Sequence, residues 1–246
     1  MVAPEDIHAD VWHAHTLAQS ALQVVPTGDA LLDAQLPGGG WPVGALTELL
    51  QSDGVHSEWR LLLPALAHSG QGPVVLVGAP HVPFAPSLSA QGLGLHRLLS
   101  VGAQTAAQRL WATEQVLRCA EVDAVLAWLP QARSDQLRRL QMAAAEFHKL
   151  LFVMRPLQAH SEASPAVLRL QIAPSCNAGS DALDIQVLKR RGPLLDAPLH
   201  LRARGALLES LLAAARPQHR PLPARPRTPG SVRNFVHALD RTAARA

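Results

Sequence analysis

Apolar and polar positions recur with two different periods along most of this chain. Four short, nearly continuous apolar runs predict strands buried on both faces, at residues 45–50, 73–78, 122–128 and 150–154. Stretches with apolar residues every three or four positions predict the intervening helices, at residues 57–67, 105–119 and 134–148. Strands that alternate with helices predict a parallel sheet joined by right-handed crossovers, with helices on both faces.

The pattern changes after residue 165. Residues 167–172 and 183–188 alternate apolar and polar side chains, and turn-forming residues separate them at 174–180. This pattern predicts an antiparallel hairpin, to which residues 199–202 add an edge strand. The predicted fold class is therefore α/β, with a mostly parallel central sheet, helices on both faces and a C-terminal antiparallel hairpin.

Composition divides the 246 residues into three parts. Residues 1–26 predict a short N-terminal helical segment, and residues 27–205 predict the folded domain. Residues 206–246 predict a C-terminal helix followed by a flexible tail rich in proline and arginine. The tail arginines could bind DNA or an acidic protein groove, or they could belong to a solvated linker: Arg216, Arg220, Arg225, Arg227 and Arg233.

The charged residues, histidines and cysteines of the chain bear on whether it binds a metal or a cofactor. The net charge is +3, and Lys149 and Lys189 are the only lysines. Arginine suits fixed contacts with carboxylates and phosphates, although its preference over lysine can equally reflect a GC-rich genome. The twelve histidines show no metal-ligand spacing, and Cys119 fits a small core residue in a helix. We therefore expect no metal and no cofactor.

The location predicted from the sequence is the cytoplasm. No apolar run approaches the roughly 18 residues that span a bilayer. The first residues lack the basic start and apolar stretch of a signal peptide. We therefore expect no association with a membrane.

The segment between the first predicted strand and its helix carries the main functional signal. A strand, a tight loop and a helix N-terminus form the frame on which many proteins hold phosphates. That loop normally reads G-x-x-x-x-G-K-[ST], whereas residues 51–56 contain one glycine, Gly54, and no lysine. Ser57 is the predicted N-cap of the helix that follows.

Several segments together resemble the RecA family, and most closely its ImuA branch, which overlaps with proteins described as SulA-like. The matching segments span residues 27–201 and include 27–33, 38–44, 122–126, 137–140 and 150–154, with the hairpin that ends at 189–192. The resemblance implies a RecA-like domain with a nucleotide site beside the loop at 51–56.

The departures from the RecA pattern all affect that implied site. His56, Ser57 and Glu58 replace the Gly-Lys-Thr that holds phosphate and Mg²⁺. Trp128 stands where the metal-binding Asp is expected, and Pro80 stands where the Glu that activates water is expected. Three changed elements predict a degenerate nucleotide site without ATP hydrolysis.

The function implied by the resemblance is a non-catalytic accessory role in SOS-induced, error-prone translesion synthesis. The implied partners are an ImuB-like inactive polymerase homologue and an error-prone DnaE-type polymerase, with RecA and DNA as further candidates. The complex would be nucleoid-associated when active. Trp59 is a candidate partner anchor, and Arg155 is a candidate DNA contact unless it makes only a local ion pair.

Two other functions remain open from the sequence. The chain could be an atypical RecA-type ATPase, which the missing lysine opposes. It could also be a SulA-like inhibitor that binds a tubulin-like cell-division protein. The residues separate this last function poorly from the mutagenesis role.

Overall fold

The computed structural model describes residues 23–175 and 182–202. Outside these residues lie 1–22 of the predicted N-terminal helical segment, Cys176, the predicted C-terminal helix and the tail arginines. The end of the predicted N-terminal segment is described, and Val24–Val25 form a short strand there. The helices are α1 Ala30–Asp33, α2 Glu58–His68, α3 Ala85–Ala90, α4 Ala106–Leu117 and α5 Ser134–Glu146. Short 3-10 segments cover Leu95–Arg97 and Leu157–Ser161. The strands are β1 Val24–Val25, β2 Trp41–Pro42, β3 Ala45–Gln51, β4 Val74–Val77, β5 Leu98–Val101, β6 Ala124–Trp128, β7 Leu150–Pro156, β8 Leu168–Pro174, β9 Ala182–Lys189 and β10 Leu199–Arg202.

Within the described residues, eight strands form one sheet in the order β10-β9-β8-β3-β7-β6-β4-β5. Every pairing from β8 to β5 is parallel, whereas β9 is antiparallel to both β8 and β10. Strands β1 and β2 form a separate antiparallel ribbon before the sheet. The mostly parallel sheet and the C-terminal antiparallel hairpin confirm the predicted fold class.

Helices cover both faces of the sheet and form two separate cores. Helix α2 contributes Leu61, Leu62 and Leu66 to the larger core, which also contains Trp41 packed edge-on against Phe152 at 5.3 Å. Helices α4 and α5 pack on the other face against alternate residues of the same strands. Continuous apolar strands are expected where both faces are covered, because neither set of side chains can face water.

Local capping explains where several helices begin. Asp29 accepts backbone hydrogen bonds from Leu31 and Leu32 at the start of α1. Thr105 and Gln108 form a reciprocal capping box at the start of α4. Ser57 occupies the N-cap position of α2, but its side chain makes no capping bond. The predicted cap at Ser57 is therefore correct in position and wrong in mechanism.

Helix α4 differs from its prediction in the side chains that it buries. The apolar spacing included Trp111, and the helical pattern placed Cys119 in the core. The structure instead buries Ala112, Thr113 and Leu117, while Trp111 is 65% exposed. Cys119 is also exposed, because the helix ends at Leu117. Spacing alone did not fix the rotation of this helix on the sheet.

Candidate functional site

An open cavity lies where the carboxyl ends of β3, β4, β6 and β7 meet, and we call it the edge cavity. Its volume is about 190 Å³. The lining includes the whole of residues 51–56, together with Gly78, Pro80, Arg109, Trp128, Pro130, Met154, Arg155 and Pro156. Crevices at this edge of parallel sheets are the usual ligand sites of α/β proteins. The structure therefore brings together Gly54, His56, Pro80 and Trp128, as the sequence predicted for the degenerate nucleotide site.

Ser57 and Glu58 lie behind this cavity and do not line it. Both are buried, and both are held by the side chain of Gln51, the last residue of β3. Gln51 accepts a hydrogen bond from the backbone N–H of Ser57 at 2.7 Å and donates one to Glu58 Oε2 at 2.9 Å. One amide therefore occupies a backbone donor at the start of α2, a position where phosphate-binding loops present free N–H groups.

The negative charge of Glu58 makes the start of α2 unfavourable for a phosphate. Its carboxylate is buried beside Gln51, and His56 Nδ1 lies 3.7 Å from its Oε1. The His56 ring in turn contacts His81 edge-on, with a 4.8 Å centroid separation. A triphosphate placed here would meet the buried carboxylate of Glu58, while Ser57 stands where the resemblance expects the lysine that offsets phosphate charge.

Trp128 gives the far wall of the cavity an apolar character. It is the last residue of β6, and its side chain belongs to the larger core. Its backbone oxygen accepts a hydrogen bond from Arg109 Nη1 at 3.3 Å. The resemblance places a metal-binding carboxylate at this position, and an indole has no oxygen ligand to offer Mg²⁺.

Arg109 is the least satisfied cation among the described residues that line the cavity, and no sequence pattern singled it out. Its Nε donates to the backbone oxygen of Ala103 at 3.0 Å, in addition to the bond with Trp128. Among residues 23–175 and 182–202, no carboxylate lies within ion-pair distance of its guanidinium. Gly78 makes room for it, because a Cβ at that position would lie 2.7 Å from Arg109 Nε.

A second charged cluster, the Glu48 network, lies on the three adjacent strands β8, β3 and β7. Glu48 is fully buried, and its two carboxylate oxygens accept from Arg155 Nη1 at 2.9 Å and from Arg169 Nε. Arg155 also donates to Glu162 at 2.7 Å and to the backbone oxygen of Ala132 at 2.8 Å. Buried charges require this degree of pairing, because desolvation costs several kcal/mol for each ion.

The pairing shifts the protonation equilibrium of Arg155. Burial by itself lowers the pKa of its guanidinium, but the hydrogen bonds and charges of Glu48 and Glu162 outweigh that effect and raise the pKa. A pKa that is higher in the folded than in the unfolded state stabilises the fold at every pH below the unfolded value. This contribution is therefore complete at neutral pH and is lost only in strong alkali.

The Glu48 network also holds the segment that follows β7, next to the candidate DNA contact Arg155. Arg169 donates to the backbone oxygens of Ala159, at 2.8 Å, and Glu162, at 3.2 Å. Both acceptors lie in or beside the 3-10 segment Leu157–Ser161. Arg155 thus makes the local ion pair that was the alternative to a DNA contact. Its Nη1 and Nη2 groups donate to Glu48, Ala132 and Glu162.

Trp59, the candidate partner anchor, and Trp111 differ in how much of the side chain is exposed. Trp59 is half-buried and packs against the larger core, and its role as a partner anchor stays a prediction. Trp111 is the exposed tryptophan of the described part of the chain. It borders a depression between α4 and α5 that Glu114 and Arg139 also line.

The described residues contain neither a cluster of metal ligands nor a membrane-spanning helix. No group of three or more His, Cys, Asp or Glu side chains is placed there to hold a metal ion. No helix within the same residues combines the length and the hydrophobicity needed to cross a bilayer.

Comparison with known proteins connects the chain to cell-division inhibitors. No protein-family model matches it. Cell division inhibitor SulA of Photorhabdus laumondii is 32% identical over 112 residues, which cover 45% of this chain and 63% of the relative. Cell division inhibitor SulA of Edwardsiella piscicida is 29% identical over 111 residues, covering 45% and 58%. The chain thus spans about three fifths of the length of the curated relatives that it matches, and the specific resemblance to the ImuA branch stays a prediction.

Three residues described above were not singled out from the sequence, although two of them carried a detectable sequence signal. Glu48 is a single carboxylate inside the otherwise apolar run of β3, and a charge predicted to be buried demands a cationic partner. Gln51 ends the same strand and could have been noticed as a polar residue next to the loop. Arg109 has no such signal, because only the crossing of α4 over Gly78 brings it to the cavity.

Proposed function

We propose that this chain is a non-catalytic protein-binding module of the bacterial DNA-damage response. In its finer form, the proposal makes it an accessory subunit of an SOS-induced translesion synthesis complex. The partners would be an ImuB-like inactive polymerase homologue and an error-prone DnaE-type polymerase, with RecA and DNA as further candidates. The location would be cytoplasmic, and nucleoid-associated when the complex is active.

The chemistry of the edge cavity is the observation that carries the non-catalytic part. Gln51 occupies the backbone donor of Ser57 at the N-cap of α2, and Glu58 supplies a negative charge beside it. Trp128 stands where the resemblance expects a metal-binding Asp. The cavity's volume of about 190 Å³ is below the roughly 300–1,000 Å³ typical of small-molecule sites. These features support binding without nucleotide turnover.

The first test measures nucleotide binding and turnover by the purified full chain. We expect no calorimetric heat and no phosphate release with 1 mM MgATP (about the upper end of typical KM values). Magnesium-dependent ATP binding with steady turnover would instead favour the atypical ATPase and overturn the proposal.

The second test addresses the partners. Pull-down with the ImuB-like and DnaE-type proteins of the same organism should retain the full chain equally well with and without MgATP. The same assay after deletion of residues 216–246 measures what the basic tail contributes. Failure of both partners to bind would remove the translesion role.

A second candidate function is inhibition of cell division, and the names of the two SulA relatives favour it. In this function, the chain would bind a tubulin-like division protein. Controlled overexpression should then produce filamentous cells without DNA damage, and the purified chain should slow assembly of the division protein. Normal cell length at high expression would argue against this function.

A further inference from the structure

We propose that the edge cavity is a receptor for one acidic side chain of a protein partner, with Arg109 as the residue that holds its carboxylate. This inference rests on the proposed binding function and names the chemistry of the partner at that site. It assigns a ligand to a site that the loss of nucleotide-binding residues would otherwise leave without a role.

The first step of the argument is the state of the Arg109 guanidinium. Its two hydrogen bonds in the described part of the chain go to neutral backbone oxygens, Ala103 and Trp128, and its Nη2 group has no partner there. The arginine at the C-cap of α4 differs, since Arg118 pairs with Glu114 at 3.1 Å. A planar guanidinium matches a carboxylate with two parallel hydrogen bonds, and such charge-assisted bonds are about twice as strong as neutral ones.

The second step concerns the acidic groups around the cavity. Glu58 lies behind the loop and is engaged by Gln51 and His56. Asp53 lines the cavity, and Gln158 donates to its carboxylate at 3.3 Å. Arg155 is neutralised by Glu48 and Glu162. Arg109 therefore remains as the uncompensated cation among the described groups that line the cavity.

The third step is the size of the cavity. A volume of about 190 Å³ is close to the roughly 150 Å³ of an engineered cavity that takes one benzene molecule. It suits one side chain better than a nucleotide. A depression of about 160 Å³ continues from Arg109 past Leu110 and Leu129 to Gln131, and it could accommodate the backbone that carries this side chain.

The fourth step decides between classes of macromolecule. A nucleic acid requires several cations along its phosphates, because each contact adds a modest, salt-dependent contribution. The edge cavity offers one uncompensated cation and places Asp53 at its rim. A single carboxylate of a protein fits this arrangement, and a polyanion does not.

The test uses the full-length ¹⁵N-labelled chain and follows the side-chain Nε–Hε resonance of Arg109 by NMR. The probe is N-acetyl-glutamate N-methylamide, and its matched neutral control is the glutamine derivative. We expect the glutamate probe to shift the Arg109 resonance with saturation and the glutamine probe to leave it unchanged. Equal effects of the two probes would overturn the inference.

Variants identify the residue responsible. Arg109→Gln should weaken glutamate-probe binding, measured by backbone shifts of residues 52–56, by about tenfold or more, which is the loss expected for a charge-assisted bond. Arg118→Gln is the matched control, and it should leave binding unchanged. If Arg109→Gln fails to fold, Ser52→Glu provides an independent test, because it adds a competing carboxylate at the mouth while Arg109 stays in place. Unchanged binding in Ser52→Glu together with an unshifted Arg109 resonance would contradict the proposal.

Acetate and inorganic phosphate test whether the ligand is a protein side chain or a free anion. The MgATP result shows whether the proposed function fails together with this inference. Acetate and inorganic phosphate should bind at least tenfold more weakly than the glutamate derivative, since they lack the attached backbone; equal binding would make the site one for a free anion. If neither the glutamate probe nor MgATP binds, this inference alone fails. Tight MgATP binding would remove the proposed function as well.

Discussion

The Glu48 network and the edge cavity both place a guanidinium near the ends of the central strands, but they satisfy it differently. In the network, Arg155 and Arg169 surround a fully buried carboxylate and also bond to backbone oxygens. In the cavity, Arg109 bonds to backbone oxygens alone among its described neighbours. Removing one partner of a buried ion pair destabilises the fold, whereas a charge left unpaired at an opening is available to a ligand.

The largest expected effect comes from removing the carboxylate of the network. Glu48→Ala leaves Arg155 and Arg169 buried without their shared partner, and we expect a loss of about 3–5 kcal/mol in the free energy of unfolding. Chemical denaturation with urea measures it. Glu162→Ala is the control, since Glu162 is 54% exposed and an exposed pair contributes about 1 kcal/mol or less. Similar losses in the two variants would mean that Glu48 does not compensate the buried charges of Arg155 and Arg169.

An intermediate effect is expected at the polar junction between β3 and α2. Gln51→Ala removes the partner of Ser57 N–H and of Glu58, and we expect a loss of about 1–3 kcal/mol because two buried polar groups become unsatisfied. Thermal unfolding followed by circular dichroism measures this loss. Gln91→Ala is the control, since Gln91 is exposed and its side chain donates to Ser87 alone among the described residues. A Gln51 variant as stable as the control would show that the loop is not held by this amide.

The position of Arg109 can be disturbed without altering its charge. Gly78→Ala places a Cβ 2.7 Å from Arg109 Nε at a backbone φ of +65°, so we expect destabilisation of about 1–2 kcal/mol from the left-handed conformation. The Arg109 Nε–Hε resonance should also shift. Gly102→Ala is the matched control, because that site is open and lacks a positive φ. An unshifted resonance in Gly78→Ala would show that Gly78 does not position the guanidinium.

The smallest effect is expected at the two helix caps. Ser57→Ala should change stability by less than about 0.5 kcal/mol, because its side chain makes no capping bond. Asp29→Ala should cost about 1 kcal/mol, since it removes two hydrogen bonds at the start of α1. Differential scanning calorimetry of the two variants compares them directly. A larger loss at Ser57 than at Asp29 would restore the capping role predicted from the sequence.

Much of the fold could be predicted because hydrophobic periodicity is a local property of the chain. The apolar run in β3, the alternating residues in β8 and β9 and the turn between them each encode an element without reference to distant residues. Four of the cavity-lining residues were singled out by the resemblance to the RecA family, and they lie together because the loop after β3 and the ends of β4 and β6 meet at one edge of a parallel sheet. Helix α4 was less predictable, because rotating it slightly exchanges Trp111 for Ala112 on the buried face.

The sequence by itself determined the order of strands and helices, the parallel sheet with its antiparallel end, and the absence of lysine from the loop after β3. Only the tertiary structure decided which charges meet. Glu48 and Arg169 are 121 residues apart, and Arg109 is 31 residues from Gly78. Contacts across such separations depend on strand order and helix rotation, and both follow from packing the whole core rather than from any local pattern.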